Sequence, residues 1–376
     1  MRGARTRICV TGIRGIPGVI GGIEAHCEEL LPRIAALAPE LEIEVAARRR
    51  FVDPKIVNFK GVAVKALPAP AGVATEAIGA TFLGILYARK RRAAIVHIHA
   101  IGPSLLAPLA RVLGLHVVIT HHGVDYERAK WGGLAKLMLR LGERFGIAAA
   151  HRVIVVAPSL AERLKASFPS RAAAIRYIPN GAPALDDDNA AEDILTRFGL
   201  DPKGFVLGVG RLVPEKGFDY LIRAFRDSGT DRKLALVGGA MHKSVFAQDL
   251  LLHADDKVVF LGPQPRAVLR RLYEQADLFV LPSFHEGLAI SALEAANCAT
   301  PMLLSDIAAN RDIGLPARNY FPVGDERALA DLLTRPAAEF TYDVDEVRGR
   351  FDWDRIAAQT LEVYRGMLSR SNELEE

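Results

Sequence analysis

The chain has 376 residues, half of them apolar and 24% charged, which is a globular composition, and its length suits two domains rather than one. No apolar run reaches the roughly 20 residues of a spanning helix, and the stretch MRGARTRICV leads into a strand without a signal-peptide core, so a cytoplasmic protein is expected. The net charge of +4 hides an asymmetry: residues 1–178 hold 26 Lys and Arg against 12 Asp and Glu, and the remainder holds 22 against 32.

Arg7 to Thr11 reads as a first strand, opening into a glycine-rich loop from Gly12 to Gly22. A helix follows from about Ile23 to Leu37, with Glu24, Glu28 and Glu29 on its polar side. A glycine loop between strand and helix brings backbone N–H groups close to a phosphate. On its own this is a weak signal. The spacing is not Gly-x-Gly-x-x-Gly, and the next strand, Glu42 to Ala47, does not end on an acidic residue of the kind that takes a ribose. Cys9, Cys27 and Cys298 are far apart and lack metal-ligand spacing, so they read as small buried apolar residues rather than a disulfide or zinc framework.

Ala71 to Ala88 is an apolar helix ending in Arg89-Lys90-Arg91-Arg92. With Arg48, Arg49 and Arg50 it has two readings: a basic element seated on an anionic leaflet, or a packed helix with solvated arginines at its end. No aromatic-studded nucleic-acid module is visible, so the basic half points to a membrane surface or lipid phosphate rather than to nucleic acid.

The strand Ala94 to His99, a helix from Pro103 to Leu113 and the strand Val117 to Thr120 form a βαβ unit ending in His121-His122-Gly123-Val124-Asp125. Histidines at a strand's carboxyl end are placed for function, and either can equally be structural. Arg128 and Lys130 follow; they suit an acceptor phosphate or a solvated helix start. The strand Arg152 to Ala157 and the helix Ser159 to Phe168 lead to a Pro179-Asn180-Gly181 turn. Asp186, Asp187 and Asp188 lie between that turn and a new helix, which favours a solvated linker over a metal site.

The second half opens with the strand Phe205 to Gly210 and then Arg211 and Lys216, five apart and able to grip two phosphates. Strands from Leu234 to Val237 and Val258 to Leu261 continue the alternation, and Gly262 to Pro265, with Gln264, forms a plausible wall for a nucleoside base. The apolar run Ala276 to Leu281 is a buried strand stopped by Pro282 and Ser283. Glu286 then sits in a loop, Gly287 permits close backbone approach, and a helix from about Leu288 carries Glu294. N–H groups of the first helical turn suit a diphosphate, with one carboxylate on either side for sugar and ribose hydroxyls. Two such glutamates also occur by chance, and a glycosidase pair is disfavoured because those carboxylates flank the scissile bond and usually come from separate strands. The last helix starts at Phe351-Asp352-Trp353-Asp354 and runs to about Leu368.

Glu286 and Glu294 resemble the Glu-x7-Glu motif of retaining glycosyltransferases of family 4, and nearly the whole chain follows that family in order. Gly21 and Gly22 resemble its Gly-Gly-x-Glu turn, His122-Gly123 its His-Gly turn, and Arg211 with Lys216 its Arg-x4-Lys-Gly motif. The segment Arg128 to Gly133 is similar to a stretch in members that build bacterial surface polysaccharides. The resemblance implies an α/β GT-B fold of two Rossmann-like, doubly wound domains facing across a cleft. Residues 1–182 would take the acceptor, 183–352 the nucleotide-sugar donor, and the helix 353–376 would cross back. It implies retaining transfer of a hexose from a UDP- or GDP-linked sugar to a glycan or polyprenyl-linked acceptor, without a metal or other cofactor, in the cytoplasm and with a peripheral seat on the inner membrane face. His122, Arg211, Lys216 and Glu286 would be catalytic; Gly21, Gly22, Gln264, Gly287, Leu288, Ala289 and Glu294 would bind the donor; Asp125, Arg128 and Lys130 would meet the acceptor. Many members have Phe-Gly where this chain has Leu288-Ala289, and proline where it has Ser291, which leaves the donor sugar open. A sugar-nucleotide 2-epimerase of the same fold and a non-catalytic nucleotide-sugar binder remain as alternatives.

Overall fold

The computed structural model describes residues 5–19, 21–70, 72–127, 132–182, 193–239 and 244–372. Arg128 and Lys130, and the Asp186 to Asp188 run, lie outside them. Two compact units emerge, Met1–Gly181 with Asp352–Glu376 and Ala182–Phe351, each built on one sheet.

Unit 1 runs β1 (Thr6–Thr11), α1 (Gly22–Leu37), β2 (Leu41–Arg48), β3 (Asn58–Phe59), β4 (Val62–Leu67), α2 (Val73–Lys90), β5 (Ile95–His99), α3 (Ala107–Val112), β6 (His116–His121), α4 (Gly133–Ala149), β7 (Arg152–Val155), α5 (Pro158–Ser167) and β8 (Ile175–Tyr177). The sheet order is β3-β4-β2-β1-β5-β6-β7-β8, and only the short β3 pairs antiparallel. Ile8, Cys9 and Val10 of β1 are wholly buried, as expected for a parallel strand covered on both faces. In α1 the buried residues Cys27, Leu30, Leu31 and Ile34 recur at helical spacing and form the stripe that faces the core.

Unit 2 runs α6 (Asp193–Arg197), β9 (Phe205–Val209), α7 (Phe218–Ser228), β10 (Lys233–Val237), α8 (Val245–Leu251), β11 (Val258–Gly262), α9 (Arg266–Gln275), β12 (Leu278–Leu281), α10 (Ile290–Asn297), β13 (Met302–Ser305), α11 (Ala308–Arg311), β14 (Tyr320–Phe321), α12 (Glu326–Leu333) and α13 (Val344–Arg350). Its parallel order is β11-β10-β9-β12-β13-β14. The chain then enters α14 (Trp353–Asn372), whose Trp353, Ile356, Leu361, Tyr364 and Met367 join the core of unit 1 beside Cys27, Leu30 and Ile34.

Both sheets reverse their order beside their first strand. In unit 1 the chain adds β2 on one side of β1 and β5 on the other; in unit 2 it adds β10 on one side of β9 and β12 on the other. Loops leaving the carboxyl ends of the two central strands diverge there and leave a crevice, which is where ligands bind in doubly wound sheets.

Several element boundaries differ from the sequence expectation. The helix expected from Leu288 starts at Ile290, because Ala289 stays extended at φ −73° and ψ 106°. The helix expected over Pro103 to Leu113 is a 3-10 turn, Pro103–Leu106, followed by α3; Leu106 at φ −93° and ψ 4° separates the two. The basic cluster has local partners: Arg48 lies 3.7 Å from Glu76 of α2, Arg50 contacts the same carboxylate, and Arg91 pairs with Glu44 at 2.6 Å. Among the described residues no helix is long and apolar enough to cross a membrane.

Candidate functional site

Three backbone-directed contacts draw the loop after β9 onto the loop after β12. Gly217 adopts φ +67°, and a Cβ there would stand 2.3 Å from the Pro282 carbonyl oxygen, so only glycine lets the turn sit this close. Tyr220, at the start of α7, donates to that same carbonyl at 2.5 Å, and the Phe284 N–H donates to the Glu215 carbonyl at 2.9 Å. The crevice of unit 2 is thereby lined by two loops held in fixed register.

Lys216 and Glu286 meet in it. The ammonium contacts Oε1 of Glu286, and the Ser283 hydroxyl donates to the same oxygen at 2.7 Å. Ser283 is wholly buried, and its carbonyl accepts from Ser305 at 2.5 Å; Ser305 in turn accepts from the Asn310 amide at 3.0 Å. A chain of buried polar groups thus fixes the orientation of the carboxylate. Arg211 follows β9, its Nη2 3.7 Å from Oε1 of Glu215, a buried residue neither of whose carboxylate oxygens accepts a hydrogen bond. That carboxylate faces the guanidinium on one side.

Gly287 is half-buried, Leu288 and Ala289 are buried, and α10 begins immediately afterwards, so its first N–H groups lie at the mouth of the same crevice. Glu294 is buried on α10 and accepts a 3.0 Å hydrogen bond from Tyr273 of α9. Burial, reinforced by the Glu294 charge, pushes the Tyr273 phenol well above its usual range, so it acts as a donor and Glu294 as acceptor. Gln264, after β11, turns its amide onto the Leu261 carbonyl of its own turn.

The remaining candidates belong to unit 1. Gly21 approaches the Arg14–Glu24 pair so closely that a Cβ would fall 2.2 Å from both side chains. Arg14 grips Glu24 by Nε at 3.0 Å and Nη2 at 2.8 Å, which holds the glycine turn against α1, and Gly22 is exposed at the helix start. His121 is buried and bonded to Glu143 of α4 at 2.8 Å, a structural role. His122 is half-buried and lies 3.0 Å from His99, which ends β5. Burial, with neighbouring histidines adding to it, drives both rings well below the ordinary histidine range, so both are neutral. Asp125 opens a 3-10 turn, Asp125–Glu127, three residues on.

Sequence reasoning missed Ser283, Glu215 and Tyr273, and also His26 and His99. Ser283 carried a weak signal as the small polar residue closing an apolar strand. A tyrosine inside α9 reads as core, which Tyr273 also is.

Residues 20–184 match the family described as Glycosyltransferase Family 4, and residues 193–335 match Glycosyl transferases group 1. D-inositol 3-phosphate glycosyltransferase of Salinispora arenicola is 28% identical over 391 residues, covering 92% of this chain and 87% of that protein. Alpha-maltose-1-phosphate synthase of Mycolicibacterium smegmatis is 26% identical over 387 residues, with 93% and 96% covered. Among solved structures, sucrose-phosphate synthase from Thermosynechococcus elongatus aligns with a TM-score of 0.81 at 22% identity, covering 97% of this chain and all of that one. HepE of Anabaena in complex with UDP and glucose aligns at 0.75 and 17%, covering 96% of this chain and all of that one. The fold of these neighbours is GT-B: two parallel-sheet, Rossmann-like domains with a C-terminal helix.

Proposed function

Since the chain is a GT-B glycosyltransferase, a family 4 domain joined to a group 1 domain that moves a sugar from a nucleotide sugar, we propose that it transfers a hexose from UDP- or GDP-linked donor with retention at the anomeric carbon. The observation that carries this reading is the Lys216–Glu286 pair at the β9/β12 crevice, with Ser283 behind it. Glu286 takes the sugar hydroxyls while Lys216 and Arg211 face the diphosphate.

In this scheme the anomeric C–O bond to the diphosphate breaks, the acceptor oxygen bonds to the same face, and the acceptor proton leaves on a diphosphate oxygen. Charge grows on the departing diphosphate, and Arg211, Lys216 and the N–H groups opening α10 stabilise it; one such preorganised donor is typically worth about 3 kcal/mol. Positive side chains take the place of a divalent ion, so transfer is metal-independent. Glu294 takes the ribose hydroxyls, and Gln264 and its turn take the base; for Gly21, Gly22 and His122 the role toward the donor is the one that the family resemblance implies.

For the acceptor we propose a lipid-linked phosphate in cell-surface polysaccharide synthesis, met by Asp125, Arg128 and Lys130. Support comes from α4, whose outward face exposes Leu134 (75%), Leu137 (53%), Met138 and Phe145 among Lys136, Arg140 and Arg144, the composition of a helix that lies on an anionic leaflet. The names of the relatives favour a second reading, a soluble phosphorylated polyol or sugar.

The test supplies UDP-glucose or GDP-mannose with a polyprenyl-diphosphate glycan, with inositol 3-phosphate, or with neither, and follows nucleoside diphosphate and product by mass spectrometry with and without EDTA. Lipid-linked product in both EDTA arms, with the α-linkage of the donor kept, is expected. Product on inositol 3-phosphate alone selects the second acceptor. Free diphosphate with neither acceptor marks an epimerase, and binding without turnover a sensor.

A further inference from the structure

A second polar cluster lies at the crevice of unit 1. His26 projects from the second turn of α1, His99 ends β5, and His122 follows β6, the next strand in the sheet. One ring nitrogen from each lies within 4.8 Å of the others. His99 and His122 are stacked with centroids 5.3 Å apart, and His26 meets the edge of His122 at 4.9 Å.

His26 is the anomaly. It is 3% exposed, and neither of its ring nitrogens makes a hydrogen bond of ordinary geometry, the Asn180 side chain being its polar neighbour. A buried imidazole held so loosely costs free energy that native proteins normally avoid, and an ion or an ordered water at its nitrogens would satisfy it. The neighbouring histidine shows the contrast: His97, equally buried, has both nitrogens satisfied, by Tyr364 and by Thr120, each at 2.7 Å.

We propose that His26, His99 and His122 form a three-imidazole binding site for a divalent transition metal of the zinc class. Imidazole nitrogens suit zinc, and zinc on three histidines keeps a fourth position for water. With metal–nitrogen bonds of about 2.0–2.1 Å, tetrahedral ligands stand about 3.3 Å apart. His99 and His122 are already at 3.0 Å, so His26 has the most ground to cover, by a ring rotation. The proton shared between His99 and His122 moves to the far nitrogen of one ring when the metal takes its place.

The binding site stands independently of the transfer reading. Its consequence for activity rests on that reading: a metal on His122 withdraws that ring from the donor, so zinc inhibits while the chemistry at Lys216 needs no metal.

The experiment titrates tag-free, EDTA-stripped protein with Co2+ and records the visible spectrum, with Zn2+ competition, for wild type, His26→Asn and His99→Gln. Circular dichroism confirms folding of each variant. One equivalent of Co2+ giving an intense tetrahedral band that Zn2+ abolishes, and that His26→Asn loses while staying folded, is the expected result. A spectrum that stays that of the aquo ion, or a band that His26→Asn retains, overturns the proposal. If His99→Gln fails to fold, His26→Asn alone decides. A parallel transfer assay expects micromolar Zn2+ to inhibit wild type and spare His26→Asn; absent turnover in any sample refutes the transfer reading and leaves the spectral result standing.

Discussion

Tyr273 and Glu294 are joined by a 3.0 Å hydrogen bond between neighbouring helices α9 and α10, and both are buried. Hydrogen bonds to a charged group contribute about 1.5–3 kcal/mol, so this bond fixes the carboxylate that the donor ribose is proposed to meet. Tyr273→Phe therefore raises KM for the donor by roughly tenfold and leaves kcat within about twofold. Steady-state kinetics with varied donor checks this. A lowered melting temperature with unchanged KM would make the tyrosine purely structural.

Lys216 and Glu286 act on different parts of the proposed donor, yet each also holds the other in place. Lys216→Ala and Glu286→Ala each lower kcat by about 100- to 1,000-fold, the usual loss for one preorganised group at a developing charge. Ser283→Ala, which removes only the 2.7 Å support under Glu286, costs about tenfold or less. Single-turnover rates at saturating donor separate the three. Equal losses in all three variants would mean that loop collapse, not chemistry, is being measured.

How much of this was legible in the sequence follows from where each signal lives. Lys216, Glu286 and Arg211 sit directly after apolar strands, and strand ends in an alternating α/β chain converge on one edge of a sheet. Glu286 and Glu294 were visible as a pair because they share one loop and helix. Contacts between distant segments were not visible. His26 and His99 are 73 positions apart in sequence and meet only because β5 lies beside β1 and α1 packs over it. Tyr273 and Ser283 are residue types that cores and strand ends use everywhere, so neither announces a role. The start of α10 was misplaced because helix propensity favours Leu288 and Ala289, whereas both are buried in the loop and Ala289 is extended.

Gly217 fixes the turn that carries Lys216. Gly217→Ala forces a β-carbon toward the Pro282 carbonyl at a φ of +67°, at a cost of more than about 1 kcal/mol. Because Lys216 is the adjacent residue, the strain displaces its ammonium from Glu286. Transfer falls by at least tenfold, together with a lower melting temperature, in activity and calorimetry measured on the same sample. A stability loss without an activity loss would show that the turn relaxes away from Lys216.

His151 gives unit 1 a pH dependence that can be read without any substrate. Its Nδ1 accepts the Val117 N–H at 3.0 Å where β6 begins, so the ring must be unprotonated there. Burial, then Arg111 and His116 nearby, lowers it to about 4 from the ordinary 6.5. Between those values the unfolded chain binds the proton that the folded chain refuses, so stability rises with pH across the window. The contribution is complete above about pH 6.5 and drains away as pH falls toward about 4. His151→Asn, which cannot take up a proton, flattens the slope of unfolding free energy between pH 6.5 and 4.5 relative to wild type. Denaturant titrations at a series of pH values, followed by circular dichroism, measure that slope, and identical slopes in the two proteins would assign the acid sensitivity to other groups.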